Sequence, residues 1–263
     1  MLLNRIGNKD TIAPQIIAKF PSHSVYIEPF FGAGGIFFNK PKSKYNILND
    51  LDGDIFNLFT ILQTDYKKLM TCLLHTPYSQ ELYTHWKTTP ELDPFWKAVR
   101  FLYLSNFSKY GKVGSLDFKT GNTMPTILME IQKTAKMLMQ HDIKWMNTTY
   151  ADMFRLIGRG VDWANAFIYC DPPYVGTTNN YGDGRATRWT IDDLERVIIT
   201  MKDIKTKFAI SEFESADNLR LATEHGLYVN FIAYKTGLKN YNKEILLTNY
   251  EVSNLFEGLS DEM

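Results

Sequence analysis

Cysteine is scarce in this sequence, with only Cys72 and Cys170 among 263 residues. Two cysteines provide no disulfide framework, so we expect a reducing, cytoplasmic compartment. No apolar run reaches the roughly 18 residues that a membrane-spanning helix needs, and residues 1–10 lack the apolar core of a signal peptide. These absences predict a protein that is neither secreted nor membrane-spanning.

Chemistry based on a metal or a hydroxyl nucleophile also finds little support. The five histidines (23, 75, 85, 141 and 225) show no metal-ligand spacing, so no metal site is expected. No nucleophile-elbow motif marks a Ser/His/Asp triad. Cys170 falls within an apolar strand pattern, which favours packing in the core over a catalytic role.

An excess of charge of one sign is missing as well. The 29 basic and 29 acidic side chains give a net charge of zero, which argues against a protein that coats nucleic acid through bulk charge. The balance is nevertheless uneven, because residues 61–150 hold 11 basic and 7 acidic side chains, a net charge of +4. This positive segment is compatible with a few phosphate contacts.

What is present is an alternation of strand and helix patterns. Strands are predicted at 25–29 and 45–48, and helices at 11–19 and 54–62, an order typical of a parallel βαβ sheet. The alternation resumes at residue 166, with strands at 166–170, 207–211, 227–234 and 245–250 and helices at 191–201 and 215–225. Residues 61–145 between these parts are mostly helical and aromatic, with helical patterns at 94–110 and 127–140. We therefore predict an α/β fold, with a sheet domain formed by 1–60 and 146–263 and a helical insertion at 61–145.

A glycine-rich turn follows the first strand, in the segment Glu28-Pro29-Phe30-Phe31-Gly32-Ala33-Gly34-Gly35. Glycines allow a ligand to approach the backbone closely. The spacing matches neither the G-x-G-x-x-G dinucleotide motif nor a P-loop, and a short turn suits an adenosyl ligand without phosphates. Asp50 ends the second strand 18 residues after Gly32, about where a carboxylate would reach ribose hydroxyls. A tight turn without a ligand is the alternative.

The segment Asp171-Pro172-Pro173-Tyr174 follows the strand at 166–170. Two prolines cannot continue a central strand, so the chain must leave the sheet in a stiff turn at its carboxyl end, where α/β sheets bind ligands. Asp171 and the Pro172 carbonyl can accept both hydrogens of an exocyclic amine, and Tyr174 can stack on a planar base. The turn thus indicates a site for an amine-bearing base.

Together, these motifs resemble the DNA N6-adenine methyltransferases of the Dam type, which include bacteriophage members. The resemblance runs from Gly7 to about Tyr250, in the family's order of cofactor turn, target-recognition insertion and D-P-P-Y turn. It implies a Rossmann-like methyltransferase sheet with helices on both faces and S-adenosylmethionine as the cofactor, leaving S-adenosylhomocysteine as the product. The implied reaction is methyl transfer to the N6 amine of a flipped-out adenine in a specific DNA sequence.

The same resemblance implies roles for individual residues. Gly7-Asn8-Lys9 is similar to the family's G-[NG]-K segment, and Tyr150-Ala151-Asp152 to the segment that lies against the cofactor adenine. The implied catalytic residues are Asp171, Pro172 and Tyr174. The implied cofactor-binding residues are Lys9, Glu28, Phe30, Gly32, Gly34, Asp50, Tyr150, Asp152 and Asp171.

DNA contacts are predicted in and near the insertion. Asn106 matches the family's S-N, but Lys109 stands where the family has arginine, so a GATC target is not carried over. Two further departures are Arg5, where an aromatic residue is usual, and Ser211-Glu212, where the family often has S-N. The predicted DNA-binding residues are Asn106, Lys109, Lys112, Lys119 and Tyr181, the last in a segment, 176–184, that we expect to be mobile and to close over the base.

Three alternatives stay open from the sequence: methylation of cytosine N4, methylation of adenine in RNA, and a non-catalytic relative that binds nucleic acid. The expected partner is double-stranded DNA, with no membrane and no metal. A monomer is expected, with a dimer on DNA as the alternative.

Overall fold

A seven-stranded sheet organises the protein in the computed structural model, which describes residues 2–3, 8–108, 116, 123–181, 185–236 and 241–252. The strands in chain order are β1 (Val25–Glu28), β2 (Tyr45–Asn49), β3 (Ile143–Met146), β4 (Ala166–Cys170), β5 (Thr178–Tyr181), β6 (Arg185–Arg188), β7 (Lys207–Phe213), β8 (Tyr228–Thr236) and β9 (Tyr241–Thr248). The sheet order is β3-β2-β1-β4-β7-β9-β8, and β5 and β6 form a separate antiparallel hairpin.

The first five strands in this order are parallel, whereas β9 runs antiparallel to both of its neighbours. The carboxyl ends of β1, β2, β4 and β7 therefore share one edge of the sheet. Because β9 is reversed, its first residues reach the same edge, and Glu244 is paired with Phe213 at the end of β7.

The helices are α1 (Ala13–Ile17), α2 (Gly53–His75), α3 (Gln80–Thr88), α4 (Pro94–Phe107), α5 (Met124–Met139), α6 (Tyr150–Ile157), α7 (Ile191–Ile204) and α8 (Ala216–Glu224). Local sequence signals explain several of their starts. Thr190 and Asp193 form the predicted capping box before α7, and Asp93 caps α4, which has Pro94 in its first turn.

Two hydrophobic cores cover the two faces of the sheet. Alternate residues of β4 face opposite ways, with Phe167 and Tyr169 in one core and Ile168 and Cys170 in the other. The first core contains apolar side chains of α1 to α5, and the second contains those of α6 to α8. The predicted α/β class with helices on both faces is confirmed.

Most predicted elements are present, with bounds that differ from the predicted ones in both directions. The helix expected at 54–62 extends to His75, and the early helix at 11–19 is divided into a 3-10 turn at Asp10–Ile12 and the short α1. The sequence patterns missed β3, a half-buried edge strand with no run of buried apolar residues, and α6.

The division into a sheet domain and an insertion remains a prediction. Two elements cross its boundaries: α2 spans residue 60, and β3 begins at Ile143 yet pairs with β2 in the sheet. Apolar side chains of the helical segment, such as Leu69 and Phe95, also share a core with Tyr26 of β1.

The segment 176–184 is more regular than the expected loop. It contains β5, which pairs with β6 in register Thr178 to Arg188 through Tyr181 to Arg185. Residues 182–184 lie outside the described part, and the mobility of the segment remains a prediction.

Candidate active site

Several of the predicted catalytic and cofactor-binding residues lie beside the crevice between β1 and β4. These two strands are neighbours, yet the chain passes from β1 to β2 on the other side, so the strand order reverses between them. Open α/β sheets bind ligands outside the carboxyl ends of strands at such a reversal. The glycine turn leaves β1 after Glu28, and the Asp171 turn leaves β4 after Cys170.

The glycine turn needs its glycines for different reasons. Gly32 and Gly34 have φ angles of +55° and +74°, which disfavour residues with a Cβ. A Cβ on Gly34 would lie 2.5 Å from Phe38 and 2.6 Å from Phe31, so this glycine is required by packing. A Cβ on Gly32 would meet no atom of the described residues within 4 Å, so within that part of the chain Gly32 borders open space.

Asp50 lies directly against this turn. Its carboxylate accepts the Gly32 N–H at 2.6 Å through Oδ2 and the Asp52 N–H at 2.8 Å through Oδ1. The carboxylate is thereby held in one orientation beside the open space at Gly32. Each carboxylate oxygen can accept more than one hydrogen bond, so these two backbone contacts do not prevent the group from binding a diol.

The N-terminal segment packs under the same turn. A Cβ on Gly35 would lie 2.6 Å from Oδ1 of Asn8, so the lack of a side chain there lets the two segments meet. Asn39 reinforces this contact by donating to Asp10 Oδ1 at 2.7 Å and to the Gly35 carbonyl at 2.8 Å. This packing brings Lys9 into the crevice.

Lys9 and Asp171 form a buried ion pair with an Nζ–Oδ1 distance of 2.8 Å. The lysine side chain is 3% exposed and the aspartate 21%, so the ammonium lies beneath a carboxylate that remains accessible from the crevice. Burial alone would lower the pKa of Lys9, but Asp171 and Glu244 outweigh it and raise the pKa. Lys9 therefore holds a positive charge against the Asp171 carboxylate.

Tyr174 is buried with contacts around its ring. Its hydroxyl donates to Oε1 of Glu244, and the Lys9 Nζ lies 4.5 Å from the ring centroid. Phe213 packs edge-on against it, with centroids 4.4 Å apart. Burial and the nearby carboxylates of Asp171 and Glu244 raise the pKa of the Tyr174 hydroxyl well above its usual value, so it stays protonated and donates.

Glu28 is the last residue of β1, and its side chain is buried. It accepts the Tyr26 hydroxyl at 2.9 Å, and burial raises the pKa of its carboxyl well above the usual range, with Asp171 and Asp50 adding to the effect. This shift favours the neutral form of Glu28, which is a hydrogen-bonding group close to the crevice. Its predicted role in cofactor binding remains a prediction.

An aromatic cluster borders the glycine turn. The Phe30 ring lies 5.4 Å from Tyr150 and 6.2 Å from Trp189, edge-on to the latter. The indole N–H of Trp189 is buried and has no hydrogen-bond partner among the residues that the structure describes. Trp189 was absent from the sequence prediction, since nothing in its local pattern distinguishes it from a core aromatic.

Asp152 is predicted to lie against the cofactor, but the contacts of its carboxylate are with residues of its own helix and its cap. Its carboxylate accepts from the Thr149 hydroxyl at 3.0 Å and from Arg155 at 2.9 Å, while its N–H donates to Thr149 at the start of α6. These contacts indicate a helix-capping role in this structure. Binding of the cofactor by Asp152 remains a prediction.

The predicted DNA contacts are mostly outside the described residues. Lys109, Lys112 and Lys119 fall there, as does the side chain of Tyr181, whose backbone ends β5. Asn106 is described, and its side chain faces inward: it is 4% exposed and its amide donates to the carbonyls of Leu2 and Leu102. The bond to Leu2 ties α4 to the N-terminal segment, and a DNA contact by Asn106 remains a prediction that this buried position does not support.

Two buried glutamates at the site were not among the predicted residues. Glu212, one residue before the end of β7, accepts the Val175 N–H at 3.1 Å and the Phe213 N–H at 2.8 Å, and burial raises its pKa to about 7. Glu244 on β9 accepts from Tyr174 and pairs with Lys9 at 3.5 Å. The sequence signal that could have identified them is a glutamate within an apolar strand pattern, because glutamate is almost never fully buried unless it is paired.

Within the described residues, no group of three or more His, Cys, Asp or Glu side chains could hold a metal ion, and no helix is long and apolar enough to cross a membrane. Cys170 is buried, with its Sγ 3.7 Å from the Met201 sulfur, which confirms its predicted role in the core.

Comparison with known proteins identifies the family. The chain is 27% identical over 180 residues to a DNA adenine methylase of Salmonella typhi, covering 64% of this chain and 63% of that protein, less than two thirds of its length. It is 26% identical over 199 residues to the DNA adenine methylase of Escherichia coli (strain K12), covering 71% of this chain and 69% of that one. A DNA N-6-adenine-methyltransferase of Escherichia phage P1 is 26% identical over 188 residues, covering 67% of this chain and 24% of the phage protein.

The model of the family "D12 class N6 adenine-specific DNA methyltransferase" matches residues 6–236. This match includes the glycine turn, Asp50 and the Asp171–Tyr174 turn, and it confirms the resemblance seen in the sequence. The chain therefore belongs to the D12 class of N6 adenine-specific DNA methyltransferases.

Proposed function

We propose that this protein transfers a methyl group from S-adenosylmethionine to the exocyclic N6 amine of a flipped-out adenine in double-stranded DNA. The observation that carries the proposal is the Asp171–Tyr174 turn, which stands at the strand-order reversal with Asp171 accessible and Lys9 buried beneath it. This arrangement supports an amine acceptor site beside the glycine turn. Membership of the family supports the same reaction.

S-adenosylmethionine is the methyl donor that the family implies, and the crevice fits it. The open space at Gly32 admits a ligand to the backbone, and Asp50 beside it suits a ribose diol. Phe30 and Tyr150 offer aromatic surface, and the buried indole N–H of Trp189 offers a donor for a base. When bound, the cofactor supplies an activated methyl group on its sulfonium.

The chain's own residues would act on the target amine. Asp171 and the Pro172 carbonyl accept its two hydrogens, which favours a more tetrahedral nitrogen and stabilises the positive charge that develops on it. Tyr174 stacks on the base, and holding the nitrogen in line with the methyl group supplies catalysis by proximity. The base must leave the duplex first, at a cost of a few kcal/mol.

The proposal also includes the DNA contacts, the cellular location and the oligomeric state. Lys109, Lys112 and Lys119 contact phosphates, and the segment 176–184 with Tyr181 closes over the flipped base. Both cysteines are free thiols in the structure, which agrees with a cytoplasmic location. The enzyme acts as a monomer.

The test is incubation with labelled S-adenosylmethionine and unmodified DNA or RNA, followed by mass spectrometry of the nucleosides. We expect N6-methyladenine from DNA. Finding only 4-methylcytosine, a product on RNA alone, or no product would overturn the proposal and favour one of the three alternatives given above. Sequencing of the modified DNA then identifies the target site.

A further inference from the structure

The Tyr174 ring contacts two residues that face each other on neighbouring strands. Phe213 at the end of β7 and Glu244 near the start of β9 are register partners, so their side chains lie on the same face of the sheet. Phe213 packs edge-on against the ring, and Glu244 accepts the hydroxyl. The ring is therefore held by an aromatic contact and by a hydrogen bond at its hydroxyl.

Glu244 also reaches the other end of the Asp171–Tyr174 turn. Its Oε1 lies 3.5 Å from the Lys9 Nζ, which in turn lies 2.8 Å from Asp171. One carboxylate thus contacts the stacking residue directly and the acceptor carboxylate through a lysine. The four groups form a continuous chain of charge-assisted contacts from Tyr174 to Asp171.

Burial at the position of Glu244 is energetically unfavourable for a carboxylate that has only a structural role. It is 0% exposed and is followed by the buried side chains of Ile245, Leu246 and Leu247. Burying a carboxylate in such surroundings is unfavourable unless its partners compensate. Its contacts with Lys9 and Tyr174 both lead into the proposed catalytic site, which indicates that Glu244 has a role there.

We propose that Glu244 is a positioning residue for methyl transfer, which sets the plane of the Tyr174 ring and, through Lys9, the orientation of Asp171. This inference rests on the proposed function, because it concerns the base that Tyr174 would stack on. Glu244 does not touch the reacting atoms. Its loss should therefore lower kcat while leaving the affinity for S-adenosylmethionine close to that of the wild type.

The variants are chosen to separate positioning from folding. Glu244→Gln keeps the side-chain shape and an oxygen acceptor but removes the charge that faces Lys9. Tyr174→Phe keeps the ring and removes only the hydroxyl. The matched control is Glu214→Gln, since Glu214 pairs with Lys243 at 2.8 Å on the surface just beyond the same strand ends.

For Glu244→Gln and Tyr174→Phe we expect kcat to fall about 10- to 100-fold, the range for removal of a charge-assisted hydrogen bond or a misplaced reacting group. Cofactor affinity, measured by calorimetry, should stay within about threefold, and Glu214→Gln should match the wild type in both. The double variant should lose less than the product of the single losses, because both changes affect one hydrogen bond. A folded Glu244→Gln protein with wild-type kcat would overturn the inference.

A readout without methyl transfer keeps the two proposals separable. In protein labelled with ¹³C at the tyrosine ring carbon that bears oxygen, the Tyr174 resonance is identified as the one that Tyr174→Phe removes. It should shift in Glu244→Gln and stay unchanged in Glu214→Gln. An unshifted resonance would refute positioning by Glu244, whereas a shifted resonance in a protein that methylates no nucleic acid would refute the proposed function alone.

Discussion

Gly32 donates its backbone N–H to Asp50 at 2.6 Å, although 18 residues separate them in the sequence. The contact joins the glycine turn after β1 to the end of β2, two neighbouring parallel strands. It holds the carboxylate beside the open space at Gly32, where the proposed cofactor would bind. Substitution of Gly32 therefore tests the proposed binding of the cofactor at this turn.

Gly32→Ala should weaken binding of S-adenosylmethionine at least tenfold, because the added methyl group fills the space that the ligand would use. The left-handed backbone at this position adds a stability cost of about 1–2 kcal/mol. Gly226→Ala is the control: Gly226 has a φ of +65° and open space as well, but it follows α8. Calorimetry should show wild-type affinity for the control, and equal affinities for both variants would contradict the proposed cofactor site.

Gly34→Ala should instead act on stability. Its Cβ would lie within 2.8 Å of Phe31 and Phe38 in a left-handed conformation, so we expect a loss of about 3 kcal/mol in the free energy of unfolding. Urea denaturation of this variant beside Gly32→Ala provides the measurement. Similar losses in the two variants would show that the rings around Gly34 relax to admit the methyl group.

Asp171→Asn should reduce kcat by at least 100-fold while cofactor affinity changes little, because the amide offers one acceptor oxygen and cannot stabilise the positive charge on the amine. Single-turnover methylation and calorimetry measure the two effects. Asp217→Asn on the exposed start of α8 is the control, since Asp217 is 71% exposed. Near-normal turnover of the Asp171 variant would remove this residue from the mechanism.

Glu212 should make stability depend on pH. Its pKa is about 7 in the folded protein against an ordinary 4.5, because the carboxyl is buried. The folded state therefore binds the proton more tightly than the unfolded state, and this stabilisation, complete below pH 4.5, is lost as the pH rises to 7. Between pH 5 and pH 8 the free energy of unfolding should fall by about 2 kcal/mol more in the wild type than in Glu212→Gln.

Urea denaturation at four pH values between 5 and 8 tests this expectation. Glu81→Gln, on the exposed surface of α3, serves as the control and should parallel the wild type. A constant difference between wild type and Glu212→Gln over this range would show that Glu212 is ionised throughout.

DNA binding should depend on the positive charge of the lysines in the predicted insertion, with little dependence on the DNA sequence. Replacing Lys109, Lys112 or Lys119 by Ala should reduce the slope of log affinity against log salt by about one for each lysine that neutralises a phosphate. Lys133→Ala is the control, on the exposed surface of α5. An unchanged slope in the triple variant would place the phosphate-binding residues elsewhere.

The sequence alone determines the fold class of this protein and the positions of its two main turns. The strand–helix alternation predicted the α/β class, because hydrophobic periodicity is a property of neighbouring residues. The two prolines after Cys170 forced an exit from the sheet, and the glycines after Phe31 allowed left-handed turns. The motif order around these turns was enough to indicate the family.

Only the tertiary structure decided which of these residues meet and what surrounds them. The inward turn of Asn106 depends on the Leu2 carbonyl 104 residues away, and β3 exists because β2 offers it a pairing edge. The approach of Glu244 to Tyr174 requires that β9 run antiparallel beside β7. A sequence pattern records the preferences of neighbouring residues, whereas burial, ion pairing and pKa shifts depend on groups that only the completed sheet brings together.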